Sequence, residues 1–186
     1  REKELNRQLK GIRKNLRFRK GNEQDLERIM ELVVDAQNWF RGQGIDQWQD
    51  GYPTRDIIAN DIKHGEGYVA VDDKDHPIGY AAILLGGEPA YNQISDNRWN
   101  TPNKYVVLHR LCVDIAVRRQ GVALQLMEYA MHHALLNGIT AFRIDTHKGN
   151  VRMLQMVNKL GFKPTGTIRY DSGLRIAYDL NITDKL

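Results

Sequence analysis

At 186 residues the chain is long enough for one α/β domain with a real core and short for two of ordinary size. Its formal net charge of +4 is unevenly spread: residues 1–20 hold nine Lys/Arg and two Glu, +7, leaving −3 for residues 21–186. The longest apolar run, YAAILL, is far shorter than a bilayer span, and the opening REKELNRQLK lacks a secretory apolar segment. The lone cysteine, Cys112, excludes an internal disulfide and a multi-cysteine zinc site, so a soluble, cytoplasmic protein is expected, with no membrane partner.

Residues 1–15 read as a basic, solvated, partly helical extension. The stretch has neither the aromatic interleaving nor the motif of a nucleic-acid binder, so nucleic acid is not an expected partner. A single domain is expected over 16–186. It opens with a short strand, LRFR (16–19). Asn22 and Asp25 form a capping pair for a helix that turns Leu26, Ile29, Met30 and Val33 inward. Thr54 caps a short second helix through Ile57, Ile58 and Ile62. GYVAVD and PIGYAAILL then flank the turn DDKDH as a hairpin.

A polar, Asn-rich segment from Gly86 to Lys104 leads to the strand YVVLHRLCV and a helix over 122–137. That helix carries Ala123, Leu126, Met127, Ala130 and Ala134 at helical spacing and stops at Gly138. Strand AFRIDT follows, then a helix from Asn150 to Leu160 and Gly161, then TGTIRY, the turn DSG and LRIAYDL. The unit of strand 105–113, helix and strand 141–146 implies one parallel pair in an otherwise antiparallel sheet. Ligands in such sheets favour crevices at strand C-terminal ends, where VRRQGVA lies. A strand turning straight into a helix leaves the first amides unpaired at the positive end of the dipole. Gly121 admits an anion to the backbone, and Arg118 and Arg119 add charge. A plain glycine turn with two solvated arginines would leave the same trace.

At these residues the sequence resembles the GNAT superfamily of N-acetyltransferases. The superfamily's acyl-CoA motif, Arg/Gln-x-x-Gly-x-Gly/Ala, is met by Arg118, Gly121 and Ala123, and a second signature by NVRMLQMVNKLGF. The resemblance covers 16–180 and implies a mixed, mostly antiparallel twisted α/β (α+β) sheet of about seven strands, flanked by helices, with one splayed parallel pair. It also implies acetyl-CoA as co-substrate and direct acetyl transfer to a primary amine in a ternary complex, with no metal. By resemblance, Arg118, Arg119, Gln120, Gly121, Val122 and Ala123 hold the CoA pyrophosphate, and Leu111, Cys112 and Val113 offer their backbones to the pantetheine arm. Asn150 contacts that arm or only caps its helix, and Lys159 reaches the CoA phosphates or is only surface. A homodimer is left open.

Strand alternation places Val107, His109, Leu111 and Val113 on one face and Leu108, Arg110 and Cys112 on the other. Some relatives carry a glutamate base where this chain has Val107, so His109, or a water it holds, is the candidate base. Val157 stands where many relatives have a tyrosine acid; valine donates no proton, which leaves a catalytically impaired CoA-binding module as the alternative. The connection 38–53 offers Trp39 and Trp48, with Tyr52, Asp46 and Asp50, as one wall for a cationic acceptor. Tyr91 and Trp99, with Glu88, form the opposing wall.

Overall fold

A computed structural model describes residues 16–185; the extension expected over 1–15 lies outside the described residues. The elements are β1 (Arg17–Lys20), α1 (Leu26–Gly42), α2 (Arg55–Lys63), β2 (Gly67–Val71), β3 (Pro77–Leu84), β4 (Tyr105–Val113), α3 (Val122–Leu136), β5 (Ala141–Thr146), α4 (Val151–Leu160), β6 (Lys163–Tyr170) and β7 (Gly173–Asn181). Asn22 and Asp25 make a reciprocal capping box, but around a 3₁₀ turn, Glu23–Asp25, that runs directly into α1. Thr54 caps α2 by accepting from the Ile57 amide. Among the described residues no helix is long and apolar enough to cross a membrane.

The strands form one sheet in the order β1-β2-β3-β4-β5-β7-β6. Every pairing is antiparallel except β4 with β5, as the strand-helix-strand pattern requires. One face is covered by α3 and α4: Leu126, Met127 and Ala130 of α3 and Val157 and Leu160 of α4 pack with Tyr68, Ile83, Val106, Leu108, Phe142 and Ile144 of the strands. The other face takes Ile29, Leu32, Val33 and Ala36 of α1 and Ile58 of α2 against Val69, Val71, Tyr80 and Cys112. Farther along that second face, Tyr91, Tyr105, Val107, Ala141, Ile168 and Ala177 form a third cluster under the Asn-rich segment. That segment contains an unforeseen 3₁₀ turn, Pro89–Gln93.

Two features of β4 position everything that follows. The first is a bulge: Ala82 pairs with His109 and Tyr80 with Cys112, so Ala81 alone faces both Arg110 and Leu111. Arg110 takes up the extra residue with a left-handed φ of 57°. The expected alternation therefore fails beyond His109. Arg110 and Cys112 join His109 on the α1/α2 face, while Leu111 and Val113 pack against the α3/α4 core. The second feature is the short parallel ladder, which ends at the pair Val107–Arg143. Past that point β4 stays bonded to β3 and β5 to β7, so the two central strands part between their outer neighbours.

Candidate active site

The Arg-Gly turn lies at the open end of β4. After β4 a 3₁₀ turn, Ile115–Val117, leads to Arg118. Arg119 (φ 65°) and Gly121 (φ 79°) both sit in the left-handed region, a conformation that costs glycine nothing. Gly121 is the N-cap of α3 and no side chain caps that helix, so its first-turn amides remain available to an anion. The Val122 side chain is buried against Gly79, leaving only its backbone for a ligand, while Arg119 and Gln120 are exposed. At the end of β5, the buried Thr146 hydroxyl has no hydrogen-bond partner among the described residues. An uncapped helix end, arginines and an orphaned hydroxyl suit a ligand carrying both phosphate and amide groups.

Trp39 and Trp48, expected as one acceptor wall, flank Phe40 from either side. Trp39 sits at the Arg-Gly turn, sandwiched between Arg118 and Arg152, whose guanidinium carbons stand 4.8 and 4.7 Å from its ring centre. Burial and the like charge of Arg152 lower the Arg118 pKa. Asn150 is a buried cap: its Oδ1 accepts from the Met153 amide at 3.3 Å. Its Nδ2 donates to Gln47 Oε1 at 3.2 Å, fastening the α1–α2 connection over the head of α4. Lys159 is exposed, in the last turn of α4, with Glu128 as its electrostatic neighbour.

On the α1/α2 face, the sequence EPAY builds the catalytic candidate's surroundings. Glu88 is the N-cap of the turn Pro89–Gln93 and accepts from the Ala90 amide. Three residues on, Tyr91 projects to the same side because positions i and i+3 eclipse in a 3₁₀ turn. Both then meet β4: Glu88 Oε2 lies 3.2 Å from His109 Nε2, and the Tyr91 ring stands edge-on, 6.0 Å from the imidazole. The His109 hydrogen bond, ahead of the opposing effect of burial, holds the Glu88 carboxyl below its ordinary range. Glu88 is therefore ionised at neutral pH and can only accept, so a neutral His109 carries its proton on Nε2 and presents a lone pair on Nδ1. No described residue bonds to that nitrogen.

Tyr91, expected as part of the opposing wall, is wholly buried. Its hydroxyl donates to Asp145 Oδ2 at 2.6 Å, and the Tyr170 hydroxyl donates to the same oxygen at 3.0 Å. Burial, then the Asp145 charge, raise both phenol pKa values. Trp99 supports this wall from behind, donating to the Tyr91 carbonyl at 2.8 Å and stacking with Arg143. The opposite wall is a buried knot. Arg110 grips Asp61 through Nε and Nη2 at 2.8 and 2.6 Å and donates to the Tyr52 hydroxyl at 2.9 Å. Tyr80 adds a third bond to Asp61 at 2.6 Å. Phe40, Trp48 and Tyr52 follow edge to face, so Trp48 buttresses Tyr52. Burial pushes the Cys112 thiol up to about 12, which suits a packed side chain and not a nucleophile. Val157 is fully enclosed in the α3/α4 core.

Asp61, Glu88, Arg110, Asp145 and Tyr170 therefore converge with His109 and Tyr52 where β4 and β5 part. Asp61, Asp145 and Tyr170 carried no motif; the only signal pointing to Asp145 was its place at the end of a strand predicted to be parallel.

Comparison with known proteins supplies a family. The family model for acetyltransferases of the GNAT family matches residues 33–162. A GNAT-family acetyltransferase from Streptococcus agalactiae, known from a crystal structure, superposes with a TM-score of 0.78 at 33% identity, over 88% of this chain and 94% of that one. The uncharacterized N-acetyltransferase YesJ of Bacillus subtilis is 25% identical over 147 residues, 77% of this chain and 79% of that protein. GCN5-related N-acetyltransferase 6, chloroplastic, from Arabidopsis thaliana is 33% identical over 70 residues, 38% of this chain and 24% of that protein's length.

Proposed function

The chain belongs to the GNAT family of acetyltransferases, and we propose that it moves an acetyl group from acetyl-CoA to a primary amine by direct attack within a ternary complex. The observation that carries this reading is the His109–Glu88 pair, set on β4 two residues beyond the last parallel pair with β5. An alkyl amine with a pKa of about 10.4 arrives mostly as ammonium and must lose a proton before its nitrogen can attack. His109 Nδ1 is the acceptor for that proton, directly or through one water, and the Glu88 carboxylate stabilises the resulting imidazolium. The new C–N bond forms as the C–S bond breaks. The nitrogen sheds its second proton to water as the amide forms, and water returns one to the leaving thiolate, whose acidity is near that of cysteine, about 8.5, since the side chain at 157 cannot supply one.

In the same proposal the α3 amides of Val122 and Ala123, with Arg118, Arg119, Gln120 and Gly121, receive the pyrophosphate. The backbones of Leu111, Cys112 and Val113 receive the pantetheine arm, and Asn150 serves that arm while capping α4. The same proposal sets the protein in the cytoplasm, a compartment that holds acetyl-CoA. The test is CoA thiol release at saturating acetyl-CoA over a panel of primary amines, for wild type and His109→Gln. The variant is expected to lose roughly 10²- to 10⁴-fold in turnover, the worth of a general base, with acetyl-CoA affinity retained. The burial of Val157 favours one competing reading, a CoA-binding module without catalysis. Binding of acetyl-CoA without acetylation of any amine would establish that reading instead.

A further inference from the structure

Asp145 is not used by the reaction just proposed, yet its position is specific. Val107 and Arg143 form the last parallel pair. Two residues on, along each strand and on the same face, come His109 and Asp145, which therefore stand across from one another where the strands open. Tyr91 spans the two, its ring against His109 and its hydroxyl on Asp145. The carboxylate is half-buried, and Tyr91 and Tyr170 both donate to a single oxygen, Oδ2. Among the described residues nothing donates to Oδ1, and no Lys, Arg or His lies within ion-pair distance. Two acids of the same site differ: Asp61 is held by Arg110 and Glu88 by His109.

A half-buried carboxylate held by neutral hydroxyls lacks the counter-charge that offsets its desolvation. Its surroundings are the phenols of Tyr52, Tyr91 and Tyr170, with the Glu88 charge also felt at Tyr170. Tyrosine faces and edges beside carboxylates favour a cation. The cation is not the reacting nitrogen. A carboxylate placed on that nitrogen would stabilise its ammonium form and raise its pKa, opposing the deprotonation that attack requires. We propose that Asp145 holds a second, non-reacting ammonium of the acceptor. The substrate class is then a primary amine carrying another cationic nitrogen several bonds from the one acetylated. This inference rests on the acetyl-transfer reading above.

The experiment compares α,ω-diaminoalkanes of three to six carbons with n-alkylamines of the same length, measuring kcat and KM for wild type, Asp145→Asn and Asp145→Glu. Wild type is expected to prefer the diamines. In Asp145→Asn the tyrosine hydroxyls keep an acceptor oxygen but the charge is gone, and the diamine preference in kcat/KM should fall about ten- to a hundredfold, the worth of a hydrogen bond to a charged group, mainly through KM. Asp145→Glu should restore the preference and move the optimum towards shorter diamines. A preference kept in Asp145→Asn, or an equal loss for mono- and diamines, overturns the assignment. If wild type acetylates no amine, the acetyl-transfer reading falls. Calorimetric titration of 1,4-diaminobutane and butylamine into CoA-loaded wild type and Asp145→Asn then decides on Asp145 separately: equal affinities in the two proteins would refute it.

Discussion

Replacing Asp61 with alanine tests how the acceptor wall is held. Asp61 is almost fully buried and accepts three bonds, two from Arg110 and one from Tyr80. Without it, a guanidinium whose side chain is only 12% exposed keeps the Tyr52 hydroxyl as its only described side-chain partner. Removing one member of a buried ion pair in this way costs about 3–5 kcal/mol, because the remaining charge is left desolvated and uncompensated. That is a fifth or more of the ~5–15 kcal/mol by which a typical domain is stable. At roughly 2–4 °C per kcal/mol for a domain of this size, the midpoint should drop by about 6–20 °C. Urea and thermal unfolding of Asp61→Ala measure it. The double change Asp61→Leu with Arg110→Met should recover most of the loss, since an apolar pair of similar volume can replace a buried ion pair. A single variant within about 1 kcal/mol of wild type, or a double variant no better than the single, would refute the reasoning.

Gly121→Glu should abolish CoA binding in calorimetry while the fold persists, because the new side chain forces a left-handed φ on a non-glycine residue and sets a carboxylate at the uncapped end of α3. For Glu88, whose pKa is depressed by His109, the sign is that of a lowered acid: its stabilisation is fully present above the ordinary glutamate value of about 4.3 and is lost as pH falls through the folded value. Urea midpoints of wild type and Glu88→Gln between pH 3 and 7 should therefore converge as the medium is acidified; a constant difference would mean that the pair contributes no linkage. Val157→Tyr, at a site with no exposed surface, should cost about 1–3 kcal/mol by overpacking and should not raise turnover, as thermal melts and thiol-release rates would show.

Much of the fold was legible because local physics dictated it. The 3.6-residue spacing of Leu126, Met127, Ala130 and Ala134 is the inward stripe of α3, and Thr54 and Asn150 cap the helices they precede. Gly121 combines a left-handed φ with an N-cap, so its identity reports its backbone. Side chains whose partners lie far off in sequence were harder to read. Arg110 and Asp61 are 49 residues apart, Tyr91 and Asp145 are 54 apart, and Asn150 and Gln47 are 103 apart. Each pair meets only because the sheet order sets its elements side by side. Glu88 was visible as an acid near aromatics. Its bond to His109 depends on a 3₁₀ turn that a polar, Asn-rich segment does not announce.

The bulge at Arg110 shows why strand periodicity failed at the centre of the site. A period of two predicts that His109 and Arg110 point to opposite faces, and for a regular strand that follows from the pleat. One extra residue in the left-handed region turns the strand by a half-period, so His109, Arg110 and Cys112 share the α1/α2 face while Leu111 and Val113 turn into the α3/α4 core. His109 can then meet Glu88 while its chain neighbour Arg110 meets Asp61 and Tyr52. A regular strand would have sent one of these side chains through to the other face. The same shift commits the side chains of Leu111, Cys112 and Val113 to packing, so any contact they make with a ligand lying between β4 and β5 has to come from their amides and carbonyls. A non-glycine residue held at positive φ in mid-strand is uncommon. Here the three bonds that Arg110 makes to Asp61 and Tyr52 hold it in place, so the ion pair and the bulge are two parts of one device that aims His109 at the opening.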